Sequence, residues 1–333
     1  MRIIGSERML DIKNLETADN KLYSEFKSRE ADIFSSGRSA IFSLFSRLKQ
    51  EEILFPDFYC REMIEPVLKT GTEIAFYTIK DDLVADTDSI IAPKRIKYIY
   101  INDYCGIRDY KLQEFAEKKR LIPIIDRTHS LFSNYPFDSG IQLGSLRKIL
   151  PVPDGGFLIN FKEKAIMGER DSSFYLLKLD AKILRELFER GSKDEGFEKE
   201  YVMLSEAGEK KIKINSKKIS LYSEKVFSSY NIDSVAKKRK KNYRVLISHK
   251  EIKRICPIKS ADSNVVFQSL PLLVDGRDAV KRRLADKSIF APVLWRGDSS
   301  LSKRIINIPL DEEYSEEDMN RTAEAIINAL NGE

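Results

Sequence analysis

Apolar residues fall along this chain in short bursts. Glu52-Ile53-Leu54-Phe55-Pro56, Glu73 to Ile79, Ile96 to Asn102 and Leu121 to Ile125 are runs of strand length, rich in β-branched and aromatic side chains. Between them the spacing becomes helical, over Arg61 to Thr70 (closed by Gly71) and over Lys111 to Lys119. Short apolar strands alternating with helices predict a mostly parallel sheet covered on both faces. Upstream, residues 1 to about 30 carry isolated apolar positions and are expected to form a helix or arm on the surface of a larger domain. Ile41, Leu44, Phe45 and Leu48 then lie at helical spacing, which puts Ser36-Gly37-Arg38-Ser39 at a helix start. Downstream, Phe157 to Asn160 reads as a strand, residues 172 to 190 as an amphipathic helix, and 191 to 196 as a loop. A charged, irregular connection over 209 to 218 leads to a helix from Leu221 to Phe227. The last hundred residues predict a small α+β domain. Its strands fall within Ser263 to Val274, Phe290 to Leu294 and Ile305 to Leu310, with helices around Asp278 to Asp286 and from Ser315 to Leu330. The expected division is residues 1–215, a large α/β domain with its N-terminal arm, and residues 216–333, a smaller α+β domain.

Composition narrows the class. The 333 residues are 42% apolar and 33% charged, which reads as globular rather than disordered. Lysine and arginine number 57 against 52 aspartates and glutamates, a net charge of +5 that gives little reason to expect a nucleic-acid partner. The densest basic run, Lys237 to Lys241, has no aromatic interleaving and reads as a solvated helix face. Three separated cysteines and two histidines form no zinc-type pair, and the odd cysteine count suits a reducing cytosol. With no apolar run of membrane length and no leader pattern at the start, a cytoplasmic protein without membrane partners is expected.

The chemistry concentrates at the carboxyl ends of the strands, where sheets of this type bind ligands. Tyr59, Asp103, Tyr104, Asp126 and His129 all stand at or just after such ends, consistent with one crevice. The stretch from Leu121 to Phe157 is the most telling, because a buried strand delivers Asp126, then come His129, Lys148 and the pair Gly155-Gly156. Pyridoxal phosphate (PLP) needs a lysine amine for its Schiff base and a carboxylate to hold the proton on its pyridine nitrogen. Ser36-Gly37-Arg38-Ser39 offers free backbone N–H groups, hydroxyls and a guanidinium at a helix N-terminus, either a phosphate cradle or a plain serine N-cap. Trp295-Arg296 and Arg304 are further basic or aromatic positions that substrate contacts could use.

Taken in order, these features resemble the DegT/DnrJ/StrS family of PLP-dependent sugar aminotransferases over essentially the whole chain, as a divergent branch. Ser36-Gly37-Arg38-Ser39-Ala40 resembles its S-G-T-x-A phosphate loop, and Phe55-Pro56-Asp57-Phe58-Tyr59 its V-P-S-F-T segment. Tyr104-Cys105-Gly106 resembles its tyrosine-glycine loop, and Asp126-Arg127-Thr128-His129 its D-x-A-[QH] signature. Lys148 to Gly156 is similar to K-N-L-x-x-G-E-G-G at the same interval, Tyr230-Asn231 to G-Y-N, and Asn307 to Leu310 to a late L-P-L strand. Arg38 stands where the family has threonine, Asp154 where it has glutamate, and Ser145 lies three residues before Lys148 rather than five.

The resemblance implies PLP fold type I, with a mostly parallel sheet of the seven-stranded type between helices. It implies an aminotransferase that moves an amino group from an amino acid, with glutamate the expected donor, to a nucleotide-linked keto sugar of polysaccharide biosynthesis. Lys148 would hold PLP and shuttle protons, Asp126 would pair with the pyridine nitrogen, and His129 would contact the phenolic oxygen or ring face. Thr128 would lie under the ring and Tyr59 would stack on its other face. Gly37, Arg38, Ser39 and Ser145 would hold the phosphate, with Asn231 reached from a second subunit, so a homodimer sharing its active sites is implied. Two alternatives stay open: a dehydratase or lyase of the same fold, and a non-catalytic member with a binding or regulatory role.

Overall fold

The computed structural model describes residues 2–16, 20–48, 52–170, 174–191, 195–259, 262–295 and 299–332. Thirteen strands and twelve helices run along them. The strands are β1 Ile4–Gly5, β2 Asp32–Phe34, β3 Glu52–Pro56, β4 Glu73–Tyr77, β5 Tyr98–Asn102, β6 Ile122–Asp126, β7 Ile141–Ser145, β8 Gly156–Ile159, β9 Gly168–Arg170, β10 Lys217–Lys218, β11 Ser269–Leu273, β12 Ile289–Phe290 and β13 Ile305–Pro309. The helices are α1 Lys21–Ser28, α2 Gly37–Leu48, α3 Arg61–Leu68, α4 Tyr110–Lys118, α5 Tyr175–Arg190, α6 Glu195–Lys211, α7 Leu221–Ser229, α8 Ile232–Ile247, α9 Lys250–Ile255, α10 Arg277–Asp286, α11 Ser300–Arg304 and α12 Glu316–Asn331.

The main sheet has nine strands in the order β4-β3-β5-β6-β7-β8-β2-β10-β9. Strands β4, β3, β5, β6 and β7 run parallel, while β8 is antiparallel to both β7 and β2. The expected α/β, mostly parallel sheet of the seven-stranded type is therefore present, extended by the short edge strands β10 and β9. Because β8 reverses between β7 and β2, β2 points the same way as β6. The ends of β2, β3, β5, β6 and β7 thus open onto one edge of the sheet.

Both faces of the central strands are dry. On one, Phe34, Phe55, Tyr100, Ile124 and Leu143 pack with Leu44 of α2 and Val67 of α3. On the other, Leu54, Ile99 and Ile101 share a cluster with Leu270 of β11, Ile306 of β13 and Met319 of α12. The C-terminal α+β unit therefore shares its core with the sheet. The N-terminal segment does not lie on the large unit alone: β1 pairs in parallel with β12, while Ile3 packs among Ala181, Phe188 and Tyr201 of the α5–α6 hairpin.

Several boundaries differ from the sequence expectation. The irregular connection over 209–218 is the end of a long helix, α6, plus a two-residue strand. The strand over Phe290 to Leu294 shrinks to β12. Residues 172, 173, 192–194 and Arg296, which fall in predicted segments, lie outside the described residues. Among the described residues no helix is long and apolar enough to cross a membrane.

Candidate active site

The site begins with Asp126, the last residue of β6, opposite Asn102 on β5 and Leu143 on β7. Its carboxylate is buried, accepting the Tyr100 hydroxyl at 2.6 Å on Oδ2 and the Thr128 N–H at 2.8 Å on Oδ1. Among the described residues it pairs with no cation, and burial raises its proton affinity against the pull of those two donors. Arg127, next in sequence, is fully buried and shapes the following turn by donating to the carbonyls of Tyr135, Ser130 and Ser133. That turn presents Thr128 and His129. The Thr128 hydroxyl accepts the Ser145 N–H at 3.0 Å, so one residue ties the Asp126 carboxylate to the end of β7.

His129 is buried, its Nδ1 accepting the Cys105 N–H at 3.3 Å, and its ring lies parallel to Trp295 with centroids 5.9 Å apart. Burial, and then the charge of Lys148, lower its pKa to about 4, so it is neutral at neutral pH.

Lys148 closes a single turn of 3-10 helix directly after β7. Its side chain is solvent-accessible and, among the described residues, makes no hydrogen bond or ion pair. The neighbouring Arg147 charge is the main cause that lowers its pKa. Its own charge is felt at His129, Cys60, Glu62 and Glu209, so it stands on the His129 side of the sheet edge.

The helix-start loop lies against this turn. Ser36 caps α2, accepting the Ser39 N–H at 3.1 Å on its hydroxyl. A Cβ on Gly37 would stand 3.0 Å from that of Ser145, and one on Gly156 would fall 2.3 Å from the carbonyl of Ser36. Gly155, at φ 124°, donates to the Ser35 carbonyl and accepts from the Leu146 N–H. The double glycine is thus the seam where the helix-start loop, the lysine turn and β8 meet without side chains between them. Asp154, just before it, takes the N–H and hydroxyl of Ser220 at 2.8 and 2.7 Å and fixes the start of α7.

Of the expected residues, Asp126, Thr128, His129, Ser145, Lys148 and Gly37 come together. Ser39 is present but faces inward, bonded to Ser36 and Asn215. Arg38 is engaged by Glu209 at 3.2 Å, and Glu209 also holds Arg147 at 2.7 Å. Tyr59 stacks on Phe76, with ring centroids 5.4 Å apart. Asn231 caps α8, accepting the Ser234 N–H at 2.8 Å and donating to Glu16 within its own chain. Arg304 pairs with Asp81 and Asp275. Sequence reasoning missed Tyr100, Glu209 and the contact of Trp295 with His129. Tyr100 looked like one more strand aromatic, and Glu209 sat in a stretch read as irregular.

No family model matches the sequence, and no curated protein does. Solved structures do. Helicobacter pylori PseC, an aminotransferase involved in the biosynthesis of pseudoaminic acid, superposes with a TM-score of 0.67 at 16% identity, covering 100% of both chains. A DegT DnrJ EryC1 StrS aminotransferase from Brucella abortus gives 0.61 at 13% identity, over 94% of this chain and 92% of that one. NtdA from Bacillus subtilis, solved with bound cofactor PMP, gives 0.64 at 14% identity, over 95% and 78%. The fold is that of the sugar aminotransferases.

The residues fit PLP. A buried carboxylate held by two neutral donors and, among the described residues, no cation suits a protonated pyridine nitrogen, and the charge of Lys148, an amine with no partner among those residues, reaches His129 on the turn that follows the carboxylate.

Proposed function

We propose that this chain is a PLP-dependent aminotransferase. In this reading it moves an amino group from an amino acid, with glutamate as donor, to a keto sugar carried on a nucleotide, and it works in the cytoplasm as a homodimer. The observation that carries the reading is the buried Asp126, without a cation among the described residues, followed by the His129 turn that the charge of the partnerless Lys148 reaches, in a fold shared with aminotransferases of which one is solved with PMP.

Bound there, PLP supplies an aldehyde that captures amines and a ring that accepts electrons from the substrate carbon. Lys148 Nζ is the nucleophile and the proton carrier. Arg147 beside it favours the neutral amine, the form that attacks and that can accept a proton. Asp126 holds the proton at the pyridine nitrogen, and Tyr100 and Thr128 fix its two oxygens. His129 accepts on Nδ1, so the neutral ring carries its proton on Nε2 and has that N–H to donate to the phenolic oxygen. Gly37, Arg38, Ser39 and Ser145, with Asn231 of the partner subunit, would hold the phosphate, for which Arg38 and Ser39 exchange their contacts with Glu209 and with Ser36 and Asn215. The juxtaposition of Gly37 with Ser145 supports its first part.

The test is spectroscopic. Purified protein mixed with PLP should develop a visible absorbance band, lost in Lys148→Ala, and should transfer nitrogen from glutamate to a nucleotide-linked keto sugar with ping-pong kinetics. A wild-type protein that develops no band overturns the reading.

A further inference from the structure

We propose that Trp295 is the positioning residue of His129: the indole laid parallel to the imidazole fixes the tilt of that ring and keeps it dry, and through it the C-terminal unit takes part in the pocket. The inference rests on the role proposed for His129 and goes beyond it.

A single hydrogen bond to Nδ1 aims an imidazole but leaves it free to rock about that bond. The Cys105 N–H, at 3.3 Å, supplies the aim. Trp295 supplies the second constraint, with rings 5.9 Å apart and only 23° from parallel. The indole is itself wedged, with Phe58 at 5.1 Å and Tyr104 at 5.6 Å between centroids. Phe58 and Tyr104 are tied to each other, since the Tyr104 hydroxyl donates to the Phe58 carbonyl. The wall therefore draws on the ends of β3 and β5 and on the segment after β12. Trp295 also packs against two core clusters at once, the one shared with the C-terminal unit and the one beneath α2. A side chain anchored on both sides is poorly placed to move without taking His129 with it.

The electrostatics agree. An indole face dries its neighbour, which disfavours imidazolium, and also offers its π cloud, which favours it. Burial is the largest cause that lowers the His129 pKa, to about 4, and the indole is part of that dry surround. Among the described residues the charge that acts on the ring is that of Lys148, in the same direction.

The chain has one tryptophan and two histidines, so both rings can be followed singly. We would titrate the histidines of the full-length protein by NMR, with and without PLP, using His249 as internal control, and measure PLP affinity from the absorbance band. Trp295→Ala should raise the His129 midpoint by roughly a pH unit or more and weaken PLP binding several-fold, while Trp295→Phe, which keeps a flat apolar ring, should stay near wild type. Should Trp295→Ala fail to fold, Trp295→Leu is dry but has no flat face. It should still bind PLP several-fold more weakly than Trp295→Phe, and equal affinities overturn the proposal. So does an unchanged His129 midpoint in Trp295→Ala. Because that titration is read without PLP, a missing absorbance band sinks the aminotransferase reading and leaves the Trp295–His129 pair standing. An unmoved midpoint beside a normal band sinks the pair alone.

Discussion

Arg147 and Lys148 are neighbours in sequence, and their side chains meet different fates. The guanidinium is engaged by Glu209 at 2.7 Å, whereas the amine is left without a partner among the described residues. A fixed positive charge beside an unpaired amine makes protonation of that amine less favourable, and Arg147 is the largest cause of the lowered Lys148 pKa. The sign gives a prediction. Replacing Arg147 with methionine should raise the proton affinity of Lys148 and move the pH profile of PLP capture upward. Capture at neutral pH then slows, about tenfold for every pH unit the profile moves. Stopped-flow growth of the absorbance band against pH checks it, and an unmoved profile removes Arg147 from this role. Among single residues, Asp126, His129 and Lys148 stand out in the sequence as candidates because chemistry restricts the residue types that can serve. Tyr100 was not, since a strand tyrosine reads the same whether its hydroxyl meets a carboxylate, as here at 2.6 Å, or simply reaches solvent.

At the scale of elements, β3, β4, β5 and β6 were legible in the rhythm of apolar bursts, because strands of a covered parallel sheet write nearly continuous apolar runs, whereas β7, with Gln142 and Gly144 inside it, was not. The short strands β2, β9 and β10 were not legible either, having too few residues to show a period. Helix α6 was hidden by its own charge: EKEYVMLSEAGEKK buries few side chains deeply, so its apolar stripe is thin, and the carboxylate that reaches Arg38 and Arg147 was hidden with it. Tyr59 shows the converse limit, a well-placed aromatic whose observed partner is Phe76. The Gly155-Gly156 pair was legible as a spacing, and the structure supplies the reason for its second member. Since a Cβ there would fall 2.3 Å from the Ser36 backbone, Gly156→Ala must push β8 off the helix-start loop. We expect a loss of roughly 1–3 kcal/mol in denaturant unfolding, the usual cost of overpacking, and a clearly weaker hold on PLP. Gly168→Ala, where a Cβ would meet nothing, is the control that should leave both unchanged.

The whole molecule is tied together by buried charge as well as by shared apolar core. Glu312, just after β13, accepts the Tyr230 hydroxyl at 2.6 Å and pairs with Arg239 of α8 at 2.9 Å and with Arg8 of the N-terminal segment. Arg239 also pairs with Asp311. One carboxylate thus joins the N-terminal segment, the end of α7, α8 and the C-terminal unit. Cutting a buried pair on one side leaves charges with neither water nor partner, a cost of about 3–5 kcal/mol. Glu312→Ala should therefore cost that much in chemical denaturation, far more than Glu316→Ala at the exposed Lys241 pair, for which little change is expected. The pH dependence follows from the same contacts. Burial alone would raise the Glu312 pKa, but the two arginines prevail and bring it down to about 2. A carboxylate whose folded pKa lies below its unfolded value contributes its full stability above the unfolded value, and loses it as pH falls towards the folded one. Glu209, held at about 2 by Arg147 and Lys148 against burial, behaves alike. Wild-type stability should therefore fall steeply between about pH 4.5 and 2, while the slope in Glu312→Ala should be shallower by about one proton. A variant with the same acid slope as wild type would mean that this cluster does not bind the parts together.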